Sequence, residues 1–278
     1  DPVIWKPSEK TPLSALATQQ ILARALARFG DAPDALSQLI IGGPVVGDAL
    51  VASPEVSVIS ATGSTRMGRA VGPKVAARFG RCIGEVGGNN AVIGAASADL
   101  DLAARAIVFS AVGTAGQRCT SLRRLIVHED VYASLVPRLK GIYQRLPIGD
   151  PLDARTLVGP LVDAAAFHAM ERALAAARAQ GGAVTGGERT LETAYPDAYY
   201  VRPALVEMPG QTAIVREETF APILYVLRYR ELEQAIALHN DVPQGLSSCI
   251  FTTDLREAEI FLSAKGSDCG IANVNIGP

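Results

Sequence analysis

Cys119 and Glu85 are the two side chains in this sequence best suited to making and then breaking a covalent bond to a substrate. Cys119 stands in Gly116-Gln117-Arg118-Cys119-Thr120, and Glu85 stands upstream in Glu85-Val86-Gly87-Gly88-Asn89-Asn90. An ionised thiol adds readily to an electron-poor carbon, and a carboxylate can activate the water that later releases the product. Free cysteines are usually apolar filler. That reading suits Cys82, Cys249 and Cys269, each in or beside an apolar run. Cys119 is set apart by its polar neighbours Gln117, Arg118 and Thr120, and the positive charge of Arg118 favours a thiolate. Glu85 lies where a strand is expected to run into Gly87-Gly88, so the backbone can turn sharply beside a ligand. A glutamate packed there and partly desolvated would titrate higher, toward the range of a general base. The plainer reading is a surface glutamate before a turn.

Three other segments offer ligand chemistry. Thr62-Gly63-Ser64-Thr65-Arg66-Met67-Gly68 follows an expected strand and opens an expected helix. Glycine removes bulk there, the hydroxyls of Ser64 and Thr65 are close by, and the helix N-terminus presents free N–H groups suited to a pyrophosphate. A capped helix after a strand is the ordinary alternative, since the motif is not G-x-G-x-x-G. Lys6-Pro7-Ser8-Glu9 ends the first expected strand, where an α/β sheet of this type faces the adenosine half of a dinucleotide. Lys6 and Glu9 could bond ribose hydroxyls there, and a carboxylate would repel a 2′-phosphate, which favours NAD over NADP. A solvated turn is the alternative. Glu217-Glu218-Thr219-Phe220-Ala221-Pro222 leads into a strand: Glu218 could accept both hydroxyls of a ribose, and Phe220 could pack beside a nicotinamide. The alternative is a charged turn before an edge strand.

These residues need a frame. Val3-Ile4-Trp5, Ser37 to Ile41 and Val56 to Ser60 read as strands. Thr11-Pro12 marks a helix start, a hydroxyl cap followed by proline, with apolar residues at helical spacing up to Gly30. Pro44 to Val51 reads as a short helix, and Ser64 to about Phe79 as a longer one that can bend at Gly72-Pro73. A second α/β set follows: strands at Ala91 to Ile93, Arg124 to Val127, Val201 to Glu207, Ile223 to Leu227, Ser248 to Phe251 and Gly270 to Val274, with helices from Asp99, Val131, Asp163, Glu231 and Leu255. The alternation implies an α/β fold with a parallel sheet covered by helices and ligand loops at the carboxyl ends of the strands.

Composition narrows the class. The chain has 278 residues, 49% hydrophobic and 19% charged, and a net charge of -2. That supports a substantial core and argues against a basic nucleic-acid surface or an acidic disordered chain. The four cysteines include no C-x-x-C pair, which fits a reducing cytoplasm rather than a disulfide scaffold. His128, His168 and His239 are isolated and read as helix-end or surface residues, so no metal site is expected. No membrane-spanning run and no signal peptide are evident. The chain starts and stops in mid-pattern, at Asp1-Pro2-Val3-Ile4-Trp5 and Asn273-Val274-Asn275-Ile276-Gly277-Pro278, and so reads as a piece of a longer protein.

Taken in order, these segments resemble the aldehyde dehydrogenase superfamily. The family's Glu-Leu-Gly-Gly-Asn segment appears as Glu85 to Asn89, its Gly-Gln-x-Cys segment as Gly116 to Cys119, and its Phe-Thr-Gly-Ser segment as Ala61 to Ser64, without the aromatic. Lys-Pro-Ser-Glu appears as Lys6 to Glu9 and Glu-Glu-x-Phe-x-Pro as Glu217 to Pro222, while Gly159-Pro160-Leu161 and Gly245-Leu246 also match. Within the family, Ser60 to Gly68, Glu85 to Asn90, Gly116 to Thr120 and Cys269 to Ile276 look most like the α-aminoadipic semialdehyde (piperideine-6-carboxylate) dehydrogenases of lysine degradation. The resemblance implies a partial Rossmann-like NAD-binding domain over 1–86 and an α/β catalytic domain over 87–278. It implies an NAD-dependent oxidation of a small-molecule aldehyde to its acid, in a parent protein that is a homo-oligomer.

In that reading Cys119 attacks the aldehyde, hydride passes to NAD, and Glu85 activates the water that hydrolyses the thioacyl enzyme. Lys6, Glu9 and Ser64 hold the adenosine and pyrophosphate half, and Glu218 and Phe220 hold the nicotinamide half. The Cys119 N–H helps to hold the oxyanion. Arg118 becomes either a partner for a substrate carboxylate or an arginine that lines the site without touching substrate. The family's side-chain oxyanion donor, substrate-anchoring loop and C-terminal oligomerisation strand have no counterpart here. Losing one oxyanion donor typically costs ~100- to 1,000-fold in rate, so the piece alone is expected to be feeble. Three rivals remain: an acylating dehydrogenase that uses coenzyme A, a catalytically inactive structural or binding component, and a plain dinucleotide-binding domain.

Overall fold

The chain folds into two units, Asp1–Val86 and Gly87–Pro278. The computed structural model describes residues 2–278; Asp1, part of the first expected strand run, lies outside the described residues.

The first unit alternates strand and helix in the order β1 (Val3–Trp5), α1 (Pro12–Leu26), β2 (Ser37–Leu39), α2 (Pro44–Ala52), β3 (Val58–Thr62), α3 (Thr65–Ala77) and β4 (Arg81–Glu85). β1 pairs in parallel with β2, and β3 with β4. Its core is small: Val51, Val71 and Val75, with Ile59, Ala61 and Met67 against them. Strand residues such as Val58 and Ile83 stay exposed. Ser64 is the N-cap of α3 and accepts from the Met67 N–H at 3.2 Å. The helix runs through Pro73 to Ala77 unbroken. Two expectations fail in this unit. Thr11 occupies the N-cap position of α1, but its side chain makes no cap bond. Cys82 is exposed rather than buried filler, because both faces of β4 are open.

The second unit follows the order β5 (Asn90–Gly94), α4 (Leu100–Val112), β6 (Leu122–His128), α5 (Glu129–Tyr143), α6 (Ala164–Ala179), β7 (Ala183–Thr185), β8 (Arg189–Thr190), β9 (Tyr200–Val201), β10 (Ala204–Glu207), α7 (Ala213–Arg216), β11 (Ile223–Tyr229), α8 (Leu232–Asn240), β12 (Ser247–Phe251), α9 (Leu255–Leu262) and β13 (Ile271–Val274). Seven strands form one sheet in the order β13-β12-β5-β6-β11-β10-β7. Every neighbour is parallel except the β7–β10 pair. β5 and β12 are buried along their whole length. That is how a parallel sheet covered on both faces reads in sequence: as short continuous apolar runs. The expected α/β architecture is therefore present. Asp99, Asp163 and Asp254 cap α4, α6 and α9 with their carboxylates.

Other expectations need correction. The single strand expected over Val201 to Glu207 is two, because Pro203 interrupts it with no N–H to give a ladder. The strand after Pro222 is not at an edge: β11 sits between β6 and β10. His239 stands in the last turn of α8, a helix-end position as expected, but it is buried rather than at the surface. It is 2% exposed and its Nε2 lies 2.9 Å from the Ser267 hydroxyl.

Burial, and then the nearby Arg124 charge, push the His239 ring down from its ordinary 6.5 to about 4. Between those values the unfolded chain binds a proton that the folded chain refuses. Stability from this residue is therefore complete above pH 6.5 and is lost as pH falls toward 4. The difference amounts to roughly 3 kcal/mol. His239→Asn should thus lose less stability than the parent in urea unfolding on going from pH 7 to about pH 5. Equal losses in the two proteins would contradict this account.

Candidate active site

The nucleophile candidate sits at the end of an unusual piece of backbone. α4 stops at Val112, and Thr114, Ala115 and Gly116 then adopt left-handed φ values of 54°, 52° and 66°. Such conformations cost non-glycine residues about 1–2 kcal/mol each, so the surroundings must hold them. The sequence supplies the means. Gln117 Nε2 donates to the carbonyls of Thr114 and Pro160 at 3.2 and 3.3 Å, and its Oε1 accepts from the Val162 N–H at 2.8 Å. Arg118 Nε donates to Thr114 Oγ1 at 2.8 Å. The Arg118 guanidinium also lies 5.8 Å from the centre of the Phe109 ring. Arg118 and Cys119 themselves are exposed.

Asn90, at the first position of β5, pins the other side of the turn. Its Nδ2 donates to the carbonyls of Cys119 at 2.7 Å and Ser121 at 2.8 Å, while its Oδ1 accepts from the Ser247 N–H at 2.8 Å. Gly88 allows this closeness: a Cβ there would stand 2.9 Å from the Cys119 carbonyl oxygen. Gly116 is fixed for a similar reason, since its Cβ would stand 2.5 Å from the Ala221 carbonyl oxygen.

Two arginines that sequence reasoning overlooked complete the support. Asn90 is opposite Leu122 in the β5–β6 ladder, but Ala91 is opposite Arg124, so Arg123 is the extra residue of a bulge. A bulge re-aims side chains locally, and both Arg123 and its neighbour Arg124 are buried. Arg123 is 2% exposed. Its Nη1 donates to Gly116 O at 2.6 Å and Ala221 O at 3.1 Å, and its Nη2 donates to Arg118 O at 3.0 Å. Arg124 donates to the carbonyls of Asn89, Leu238 and His239 and to Gln211 Oε1. Burial lowers both guanidinium groups to about 10, which still leaves them charged at neutral pH. Asn89 itself donates to the Val215 carbonyl at 2.8 Å. The available signal was two adjacent charges opening the otherwise apolar run Leu122 to Val127.

Glu218 and Phe220 lie against this same support. Glu218 Oε1 accepts from the Gly88 N–H at 3.2 Å and lies 3.9 Å from Arg123 Nη2. Phe220 is half-exposed, with the Arg123 guanidinium 5.3 Å from its ring centre. The second unit thus brings Cys119, Arg118, Glu218 and Phe220 into one bonded neighbourhood.

The remaining candidates belong to the first unit. Lys6 Nζ and Glu9 Oε2 form an ion pair at 3.6 Å. A bond from its own backbone, then Lys6, holds the Glu9 carboxyl below the usual range. Ser64 spends an acceptor lone pair on the Met67 N–H and keeps its hydroxyl hydrogen to donate. The first turn of α3 carries no acidic residue, so its N-terminus offers nothing to repel an anion. Glu85 ends β4, and its carbonyl accepts from the Gly63 N–H at 2.9 Å, tying it to the Ser64 turn. Its side chain is exposed, so the desolvation expected for it is absent. Among the described residues no cluster suits a metal ion, and no helix is long and apolar enough to cross a membrane.

A family model described as "Aldehyde dehydrogenase family" matches residues 2–278, so the chain belongs to the aldehyde dehydrogenase family of oxidoreductases. It is 42% identical over 274 residues to aldehyde dehydrogenase family 7 member A1 of Malus domestica, covering 99% of this chain and 53% of that protein. It is also 42% identical over 274 residues to the alpha-aminoadipic semialdehyde dehydrogenase of Mus musculus, covering 98% of this chain and 50% of that protein. Two solved structures are similar throughout. PnpE in complex with nicotinamide adenine dinucleotide gives a TM-score of 0.92 at 29% identity, covering 99% of this chain and 55% of that chain. An E. coli NADP dependent enzyme gives 0.90 at 31% identity, covering 100% and 56%. The chain spans about half the length of the curated relatives it matches.

Gly116→Ala tests the turn. It adds a Cβ 2.5 Å from a backbone oxygen at a left-handed φ, and should cost more than about 1 kcal/mol in urea unfolding. Gly30→Ala, where a Cβ meets nothing within 4 Å, should stay within about 0.5 kcal/mol of the parent. Similar stabilities for the two variants would remove the case for a strained, fixed turn.

Proposed function

We propose that this chain carries the nucleophile, the hydrolytic base and most cofactor-holding side chains of an NAD-dependent enzyme that oxidises a semialdehyde to its acid. The favoured substrate class is an aldehyde bearing an amino-acid head, such as α-aminoadipic semialdehyde, as the name of the mouse relative suggests. The observation that carries the reading is the exposed Cys119 thiol at the end of a turn whose carbonyls are bound by Asn90 and Arg123. A cysteine used only for packing has no need of such a mount.

In this reading the Cys119 thiolate adds to the aldehyde carbon, giving a thiohemiacetal whose oxygen the Cys119 N–H helps to stabilise. A nicotinamide held by Glu218 and Phe220 would supply the hydride acceptor for this carbon. Glu85 then takes a proton from water, which attacks the thioacyl carbon and restores the thiol. Its exposure suits a base that must admit water. Unit 1–86 acts as the cofactor domain: Lys6 and Glu9 hold ribose hydroxyls, and Ser64 with the α3 N-terminus holds the pyrophosphate. Glu218 and Phe220 serve the nicotinamide half. The negative charge of Glu9 favours NAD over NADP. Arg118, exposed beside the nucleophile, is the candidate for the substrate carboxylate. The compartment is proposed to be the cytoplasm and the assembly a homo-oligomer.

The test is made on the full-length protein. Cys119→Ala should abolish aldehyde-dependent NADH formation. Glu85→Gln should keep a first-turnover burst of NADH while steady turnover falls on the order of 10²- to 10⁴-fold. Full activity in Cys119→Ala would sink the covalent reading. Thioester formation on adding coenzyme A, with turnover indifferent to Glu85→Gln, would favour the acylating alternative.

A further inference from the structure

The bulge residue Arg123 joins the two halves of the second unit's site. Three of its hydrogen bonds end on carbonyls: Gly116 and Arg118 in the nucleophile turn, and Ala221 in the segment that carries Glu218 and Phe220. Its guanidinium faces the Phe220 ring, and its Nη2 lies 3.9 Å from the same Glu218 oxygen that accepts from the Gly88 N–H. Its Nε makes no hydrogen bond within the protein. Burying a cation is costly, and a cation placed only for stability would be expected to have a close carboxylate partner. Here the acidic neighbour is at the long end of ion-pair distance, and backbone oxygens on two segments take the near positions.

We propose that Arg123 is a positioning residue for the reaction, a planar fork that fixes the Cys119 turn and the Glu218–Phe220 segment relative to each other. The proposal rests on the reading of Cys119 as nucleophile and of Glu218 and Phe220 as nicotinamide contacts. The fork holds the reacting carbon, once bonded to Cys119, in register with the hydride acceptor. A planar, five-donor group over an aromatic ring serves this purpose better than a lysine ammonium, whose donors rotate and whose charge is a point. Loss of the fork leaves the chemistry intact but misaligns it, and a misplacement of about 1 Å can cost on the order of 100-fold in rate.

The experiment compares the full-length parent with Arg123→Gln and Arg123→Lys, reading kcat, KM for aldehyde and for NAD, and the primary deuterium isotope effect with aldehyde deuterated at the carbonyl carbon. Arg123→Gln should lower kcat about 100-fold and raise the isotope effect, because hydride transfer becomes the slow step, with KM for aldehyde little changed. A purely structural role would reduce the amount of active enzyme and leave KM and the isotope effect where they were; that result overturns the proposal. Should Arg123→Gln fail to fold, Arg123→Lys decides. It keeps the charge and loses the fork, so a reduced kcat with a raised isotope effect supports the proposal, and parent-like values overturn it. A parent that makes no NADH from aldehyde, or one whose activity survives Cys119→Ala, sinks the underlying reading instead, so the two failures are distinguishable.

Discussion

Three consecutive residues with left-handed backbone, Thr114 to Gly116, are the constraint on which this site depends. Cys119 stands exposed three residues after it. The run persists because the carbonyls around it are bound. Asn90 takes those of Cys119 and Ser121, Arg123 takes those of Gly116 and Arg118, and Gln117 takes that of Thr114. Each donor is itself anchored, Asn90 and Arg123 on adjacent central strands and Gln117 to the Pro160–Val162 loop. Rigid mounting of this kind is what a nucleophile needs, because rate falls steeply when the reacting atoms drift.

The sheet explains why the mount can be rigid. β5 and β6 lie in the interior of a seven-stranded sheet, and both are buried, so shifting either would uncover apolar surface. A bulge in that setting is a fixed device rather than a defect. It lies at Arg123, next to Arg124, in a strand buried along nearly its whole length. Arg123 then serves the nucleophile turn, while Arg124 serves the Asn89 and His239 carbonyls beneath it. The first unit is built differently, with a small core of Val51, Val71 and Val75 and many exposed apolar residues. Its candidate ligand groups stand on turns at the ends of β1 and β3 and at the end of β4.

Much of this was legible in the sequence, and for physical reasons. Short continuous apolar runs alternating with helical spacing marked the α/β fold, since strands buried on both faces leave that pattern. Asp99 and Ser64 marked helix starts because their side chains bond the first free N–H groups. Polar neighbours separated Cys119 from its buried counterpart Cys249. What escaped was anything that depends on register or on coverage by another layer. The bulge between Asn90 and Ala91 leaves no mark in composition, so Arg124 reads as the start of a strand and Arg123 as the residue before it. Cys82 reads as filler, yet both faces of its strand are open. His239 is the helix end it reads as, but its burial depends on the chain after α9, which places Ser267 against its ring.

The central claim, that Cys119 forms the covalent bond, is tested most directly by acid quenching during turnover. The full-length protein would be mixed with aldehyde and NAD, quenched within the first turnover, digested and analysed by mass spectrometry. This account predicts that the peptide containing Cys119 gains the mass of the acyl group, and that those containing Cys82, Cys249 and Cys269 do not. An acyl group on any of those three, or turnover with no acylated peptide at any quench time, would contradict it.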